Sequence, residues 1–194
     1  MFKKIIITLS MMLYSTILMA ETEGWYINAS IGIGNKDNPS AVEQEIASME
    51  GIYGEDRVTV ALDVGLYWPV YDDSIVIGLV SNATIDSVQS GVGNEVIAHD
   101  LEYLGLSAMK FLQGPVGHGA FVRVDYGSAD AKYRYSNNSS VVNDGSGTAA
   151  LIGLGYSKLL SGNRTRMIFS LNAISSTIDD RDFNTTQFMV GFMW

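Results

Sequence analysis

Four short stretches repeat one pattern along the chain: Val64-Gly65-Leu66-Tyr67-Trp68, Leu104-Gly105-Leu106-Ser107-Ala108, Ile152-Gly153-Leu154-Gly155-Tyr156 and Val190-Gly191-Phe192-Met193-Trp194. They begin 40, 48 and 38 residues apart, and three of the four end on Trp or Tyr. In an extended chain alternate side chains point to opposite faces. Each copy therefore puts its large apolar residues on one face and its glycine on the other. Such a period describes a two-strand hairpin copied four times, with one connection per unit free to vary in length.

The same alternation fills the chain between the copies. It predicts strands over 25–34, 57–68, 74–86, 95–112, 118–129, 148–159, 165–175 and 185–194. In the first, Trp25, Ile27, Ala29, Ile31 and Ile33 alternate with Asn28, Ser30, Gly32 and Gly34. The fourth is the least regular, since Leu101 and Tyr103 share one face while Leu104, Leu106 and Ala108 share the other. With the second set placed outward, its first half stands above the apolar band, or a bulge lies near Glu102. Residues 35–56 form an acidic insertion whose only base is Lys36. Within it Ser40 and Glu43 have capping-box spacing, and Val42, Ile46 and Met49 share one face of a helix over 41–50, stopped at Gly51. So short a helix needs a surface for its apolar stripe: the barrel mouth, the lipid headgroups or a partner. Polar loops are expected over 130–147, which holds Tyr133-Arg134-Tyr135, and over 176–184.

Residues 1–20 read as a secretory leader, with Lys3 and Lys4, an apolar run from Ile5 to Leu18, and a change to Glu21-Thr22-Glu23 after Ala20. Removing it takes two lysines and no acid, so the net charge moves from −9 to −11, which argues against nucleic acid. The remaining 21–194 is one domain. With no cysteine there is no disulfide frame and no thiol nucleophile. His99 and His118 sit in no ligand-like spacing, so neither a metal site nor a cofactor is expected.

The glycines choose between a soluble sandwich and a barrel. Gly65, Gly105, Gly153 and Gly191, with Gly32, Gly34, Gly78, Gly127 and Gly155, all fall on the face opposite the large apolar residues. Two packed apolar sheets would not want them there, whereas a narrow barrel does, so that Tyr67, Phe121, Arg123 and Arg166 can cross the lumen. Connections after even-numbered strands are short and those after odd-numbered strands long. On these features the chain resembles the eight-stranded OmpA/OmpX-type and opacity-type outer-membrane barrels. The resemblance covers 21–194 as a pattern rather than as a long motif. The expected fold is all-β, an eight-stranded antiparallel up-and-down transmembrane β-barrel with a short helix in the first outer loop. The last strand should close on the first, because only that pairing leaves no edge. Its alternating Phe188, Val190, Phe192 and Trp194 resemble the family's C-terminal assembly signal, here ending on Trp rather than the more usual Phe.

The inward charges Asp63, Arg123, Asp125 and Arg166 are expected to pair within the lumen, because buried charges require partners. Lipid A deacylases resemble a His-x-Ser pair; here the triplets are His99-Asp100-Leu101 and His118-Gly119-Ala120, without the serine. His99 remains an acid/base candidate beside Glu95, Asp100 and Glu102, against a plain exposed strand-end histidine. Asp179-Asp180-Arg181-Asp182 lacks the ligand spacing and glycine of a calcium loop. The resemblance implies a non-enzymatic protein of the Gram-negative outer membrane, acting in adhesion, host interaction or envelope integrity. Its partners would be membrane lipid and lipopolysaccharide, the barrel-assembly machinery, and a host or matrix ligand taken through 35–56 and 130–147. A small gated pore and an outer-leaflet lipid A enzyme are the competing functions.

Overall fold

The computed structural model describes residues 24–53, 57–71, 74–89, 95–114, 116, 118–135, 140–160 and 165–194. The leader expected over 1–20 lies outside these. Among the described residues the strands are β1 (Tyr26–Asp37), β2 (Arg57–Tyr71), β3 (Ile75–Gln89), β4 (Glu95–Phe111), β5 (Gly119–Tyr135), β6 (Ser140–Leu159), β7 (Arg166–Ile178) and β8 (Arg181–Met193), with one helix, α1 (Ser40–Tyr53), between β1 and β2. Each strand pairs antiparallel with its sequence neighbour, and β8 closes on β1 from Asn28↔Met193 to Asp37↔Asn184. Closure pairs every strand on both sides, the arrangement a sheet needs where no water can satisfy an edge.

The outward residues form an apolar belt. On β2 it runs from Val58 to Trp68, ten residue steps or ~34 Å of strand, which at a tilt of about 40° is ~26 Å of height, the thickness of a membrane-barrel band. Ile33 is 68% exposed and Leu106 69%, large apolar surfaces that water would disfavour. At the short-turn rim the belt ends in aromatics, with Trp25 and Trp68 centroids 4.8 Å apart and Phe192 and Trp194 6.1 Å apart. Above the belt the outward face turns ionic, as in the Lys132–Glu102 pair at 2.8 Å and the Arg134–Asp100 pair.

Several expected loops are strand instead. β5 and β6 continue through most of 130–147 and pair up to Tyr135↔Ser140, so Tyr133-Arg134-Tyr135 is ladder rather than loop. Mutual hydrogen bonding satisfies backbone that a loop would leave to solvent, and this outweighs the polar composition. The acidic stretch 176–184 reduces to a two-residue turn in which Asp179 and Asp180 have φ of 45° and 60°, the twist that suits a tight hairpin. No bulge occurs near Glu102, where β4 pairs without a break against both neighbours; the register shift lies between Val88 and Gln89. The irregular pattern of β4 arises because its first half stands above the belt. Helix α1 runs past Gly51 to Tyr53. The Glu43 carboxylate does not close a capping box but turns to Arg57 and Asn38.

Inside, the lumen is layered. At the short-turn end Tyr67, Val76, Met109, Phe111, Phe121 and Met193 pack together. At the other end Val88, Ile97, Leu101, Leu151, Ile178 and Phe183 form a second apolar cluster, closed from above by Val42 and Ile46 of α1 with Met49 against it. Of the three surfaces open to it, the helix takes the barrel mouth.

Candidate functional site

Between the two apolar layers, parity on β2 and β5 aims Asp63, Arg123 and Asp125 at the barrel axis. The Arg123 guanidinium donates to both oxygens of Asp63 at 2.8 Å and to Asp125 at 2.7–3.0 Å. Asp63 also accepts from Asn28 Nδ2 at 2.7 Å, and Asp125 accepts from the Tyr103 hydroxyl. Asn82, Gln187 and Thr84 extend the network across the barrel. One buried cation thus faces two buried carboxylates, each with further donors. Such an arrangement persists only when the remaining lone pairs are satisfied. Arg166 does not join this cluster; it lies near the short-turn rim with its guanidinium 5.1 Å from the Tyr26 ring centroid.

The glycines make room for the large side chains. A Cβ on Gly65 would meet the Tyr67 ring, one on Gly78 would sit 2.7 Å from the same ring, and one on Gly155 would enter the Phe121 ring. At Gly153 it would meet the Asn172 amide oxygen at 2.5 Å, whereas at Gly105 and Gly191 it would strike the neighbouring strand. Phe188, Val190, Phe192 and Trp194 lie on the outward face of the closing ladder, with Phe188 half exposed.

A second polar cluster lies at the mouth, above the belt. Lys36 Nζ donates to His99 Nδ1 and, at 3.1 Å, to the His99 carbonyl, while His99 Nε2 donates to Asp144 Oδ2 at 3.0 Å. Arg181 reaches the same carboxylate at 3.2 Å. Phe183 stacks on the imidazole with centroids 5.6 Å apart, and Tyr133 meets it edge-on at 4.7 Å. His99 is 0% exposed, so it is not an exposed strand-end histidine, and its ring meets Lys36 and Asp144 while Asp100 is paired with Arg134 and Glu102 with Lys132. Burial, then the Lys36 charge, pushes it down to about 4 against the pull of Asp144. Burial likewise brings Lys36 down to about 8, opposed by Asp86, Asp100 and Asp144. His118 is exposed at the opposite rim.

Helix α1 is tied down beside this cluster. Arg57 bridges Glu43 and Asp86, Asn38 donates to Asp86 at 3.0 Å, and the Tyr135 hydroxyl reaches Glu45 at 3.4 Å. The Arg57 hydrogen bond holds the Glu43 carboxyl below its usual range. Sequence reasoning passed over Lys36, Asp86 and Asp144. The first two continue the inward parity of Asn28–Gly34 and of Asn82–Thr84 past the apolar belt, so the signal was present, Asp86 at the end of an expected strand and Lys36 in a segment read as loop.

No protein-family model and no curated protein matches the chain. Solved structures do. Neisserial surface protein A superposes with a TM-score of 0.53 at 9% identity, over 88% of this chain and 96% of its own. The attachment invasion locus protein Ail of Yersinia pestis matches at 14% identity and a TM-score of 0.46, over 89% of this chain and 100% of its own. The N-terminal barrel domain of Pseudomonas aeruginosa OprF matches at 16% and 0.45, over 88% and 98%. The fold of this chain is that of the eight-stranded outer-membrane β-barrels of the OmpA/OmpX type.

Proposed function

We propose that the protein is a non-enzymatic barrel of a Gram-negative outer membrane, closed to ions, whose ordered upper part serves adhesion, host contact or envelope integrity. The observation that carries this is the lumen: an apolar plug, an ion-paired layer and a second apolar plug capped by a helix follow one another along the axis. An ion crossing it would have to enter two layers that offer no hydration, at a cost no eight-stranded barrel of filled side chains offsets. Surface display is supported by the β5–β6 hairpin, which rises above the belt and leaves Val141 61% exposed. An enzymatic role for His99 is disfavoured because both ring nitrogens are engaged and aromatic rings flank the imidazole.

Planar-bilayer recording of the purified protein is the direct test. The expected result is no steady opening; steady openings that vanish when Gly65 or Gly153 is replaced by Leu would establish the small-pore alternative. Lipid A mass spectra of cells with and without the protein should coincide, and a shifted acyl pattern would mean an enzyme. Membrane fractions should contain a form whose gel migration changes on boiling, as a folded barrel's does.

A further inference from the structure

We propose that Lys36, His99 and Asp144 form an acid-sensitive latch that holds the α1 cap on the barrel mouth. The contacts of the imidazole fix which ring nitrogen carries the proton. Lys36 brings a donor to Nδ1, so Nδ1 must offer its lone pair, and the single ring hydrogen lies on Nε2, pointing at Asp144. The one place left for a second proton is the site Lys36 occupies. Protonating His99 therefore sets two cations in hydrogen-bond contact and expels the Lys36 ammonium. Lys36 is the penultimate residue of β1, four residues before Ser40 opens α1, so its displacement is transmitted to the base of the cap.

The charged and titratable surroundings determine the sign. Around His99 stand Lys36 from β1, Arg57 from β2, Asp86 from β3, its own neighbour Asp100, Tyr133 from β5, Asp144 from β6 and Arg181 from β8, with Glu43 and Glu45 on α1 above. Asp100 is occupied by Arg134, Asp86 by Arg57, and Asp144 is shared with Arg181. The folded His99 lies near 4, below its ordinary 6.5, so the released form binds the extra proton first. The closed mouth is thus favoured above pH 6.5 and progressively lost as pH falls towards 4. Lys36, also lowered, favours the closed form as pH rises from about 8, so there is no matching release in alkali. The Glu43–Arg57–Asp86 clamp is a second attachment that outlasts the first, because the Glu43 carboxyl is held below its usual range.

Hydrogen–deuterium exchange of the α1 peptide in the folded full-length protein in detergent, corrected for the intrinsic pH dependence of exchange, reads the latch. Between pH 7.5 and 4.5 exchange of Ser40–Tyr53 should rise about tenfold or more, the linkage expected of a histidine lowered this far. His99→Gln should abolish the step, and Lys36→Met should shrink it, because no ammonium is left to expel and His99 lies closer to its ordinary value. Heat-modified gel migration verifies that each variant folds, and Lys36→Met carries the test if His99→Gln does not. A flat wild-type profile, a step retained in His99→Gln, or a step of undiminished size in Lys36→Met would each overturn the proposal.

Discussion

Replacing Arg123 with Met is the sharpest probe of the layered lumen. Methionine keeps much of the apolar stem but removes every hydrogen bond the guanidinium makes to Asp63 and Asp125. Asp63 would retain Asn28 and Asn82, and Asp125 would retain Tyr103, so neither carboxylate is stripped, yet both lose their only direct counter-charge in this cluster. Breaking a buried pair in this way costs about 3–5 kcal/mol, most of it the penalty of leaving charge unpaired. With two acids sharing one base the upper end of that range is expected. The companion triple variant, Arg123→Met with Asp63→Asn and Asp125→Asn, removes the charges themselves and should recover most of the loss, because neutral amides can still bond to Asn28, Asn82 and Tyr103. Urea unfolding of the barrel in lipid vesicles, followed by tryptophan fluorescence and heat-modified migration, gives both values. A single variant within about 1 kcal/mol of the parent would refute the argument. So would a triple variant as unstable as the single, since the loss would then be one of packing rather than charge.

The glycines offer a matched pair: Gly105→Ala forces a Cβ into the backbone of Tyr126 and Gly127 and should destabilise the barrel by about 1–3 kcal/mol. Gly51→Ala, in an exposed turn of α1 with nothing within 4 Å, should stabilise that helix by up to ~1 kcal/mol, visible as slower proteolysis of the cap. Ile46→Ala removes a fully buried anchor of α1 and should cost the docked cap about 2–4 kcal/mol, read as faster cleavage within 40–53 while urea unfolding of the strands is little changed. Asn172 is 1% exposed, and neither amide atom has a partner among the described residues. Asn172→Leu should therefore leave urea stability unchanged or raise it by about 1 kcal/mol, and a clear loss would show that the amide is satisfied.

The strands, their faces and their closure were legible because one local rule governs them. Within the apolar belt each residue's environment is set by whether it faces lipid or lumen, and alternation records that choice residue by residue, as in Val58 to Trp68. The glycine positions follow from the same rule, since Gly65, Gly78 and Gly155 are small where Tyr67 and Phe121 are large. Above the belt the outward face turns polar while the inward face still buries Val88, Ile97, Ile178 and Phe183, so apolar residues no longer mark the lipid side. There the extensions of β5, β6, β7 and β8 read as loop, although hydrogen-bonded ladders were the better use of that backbone. Arg166 was grouped with the other lumen charges by parity alone, and parity says nothing about height along the axis.

The sequence by itself therefore determined an eight-stranded closed barrel with a short helix in its first outer loop, because strand period, turn placement and side-chain volume are local properties, whereas the docking of that helix on the barrel mouth was settled by the tertiary structure. Only the tertiary structure decided which groups meet across the lumen. Lys36 and Asp144 reach His99 from 63 and 45 positions away, brought there by closure of the sheet rather than by spacing. Asp144 shows the limit most clearly. The alternation of Ala150, Ile152 and Leu154 would point it outward, but the register slips between Ala131 and Lys132, Gly145 adopts a φ of 132°, and the extra residue turns the carboxylate inward to the imidazole. A one-residue bulge reverses every face beyond it, and that reversal is set by how two strands fit together.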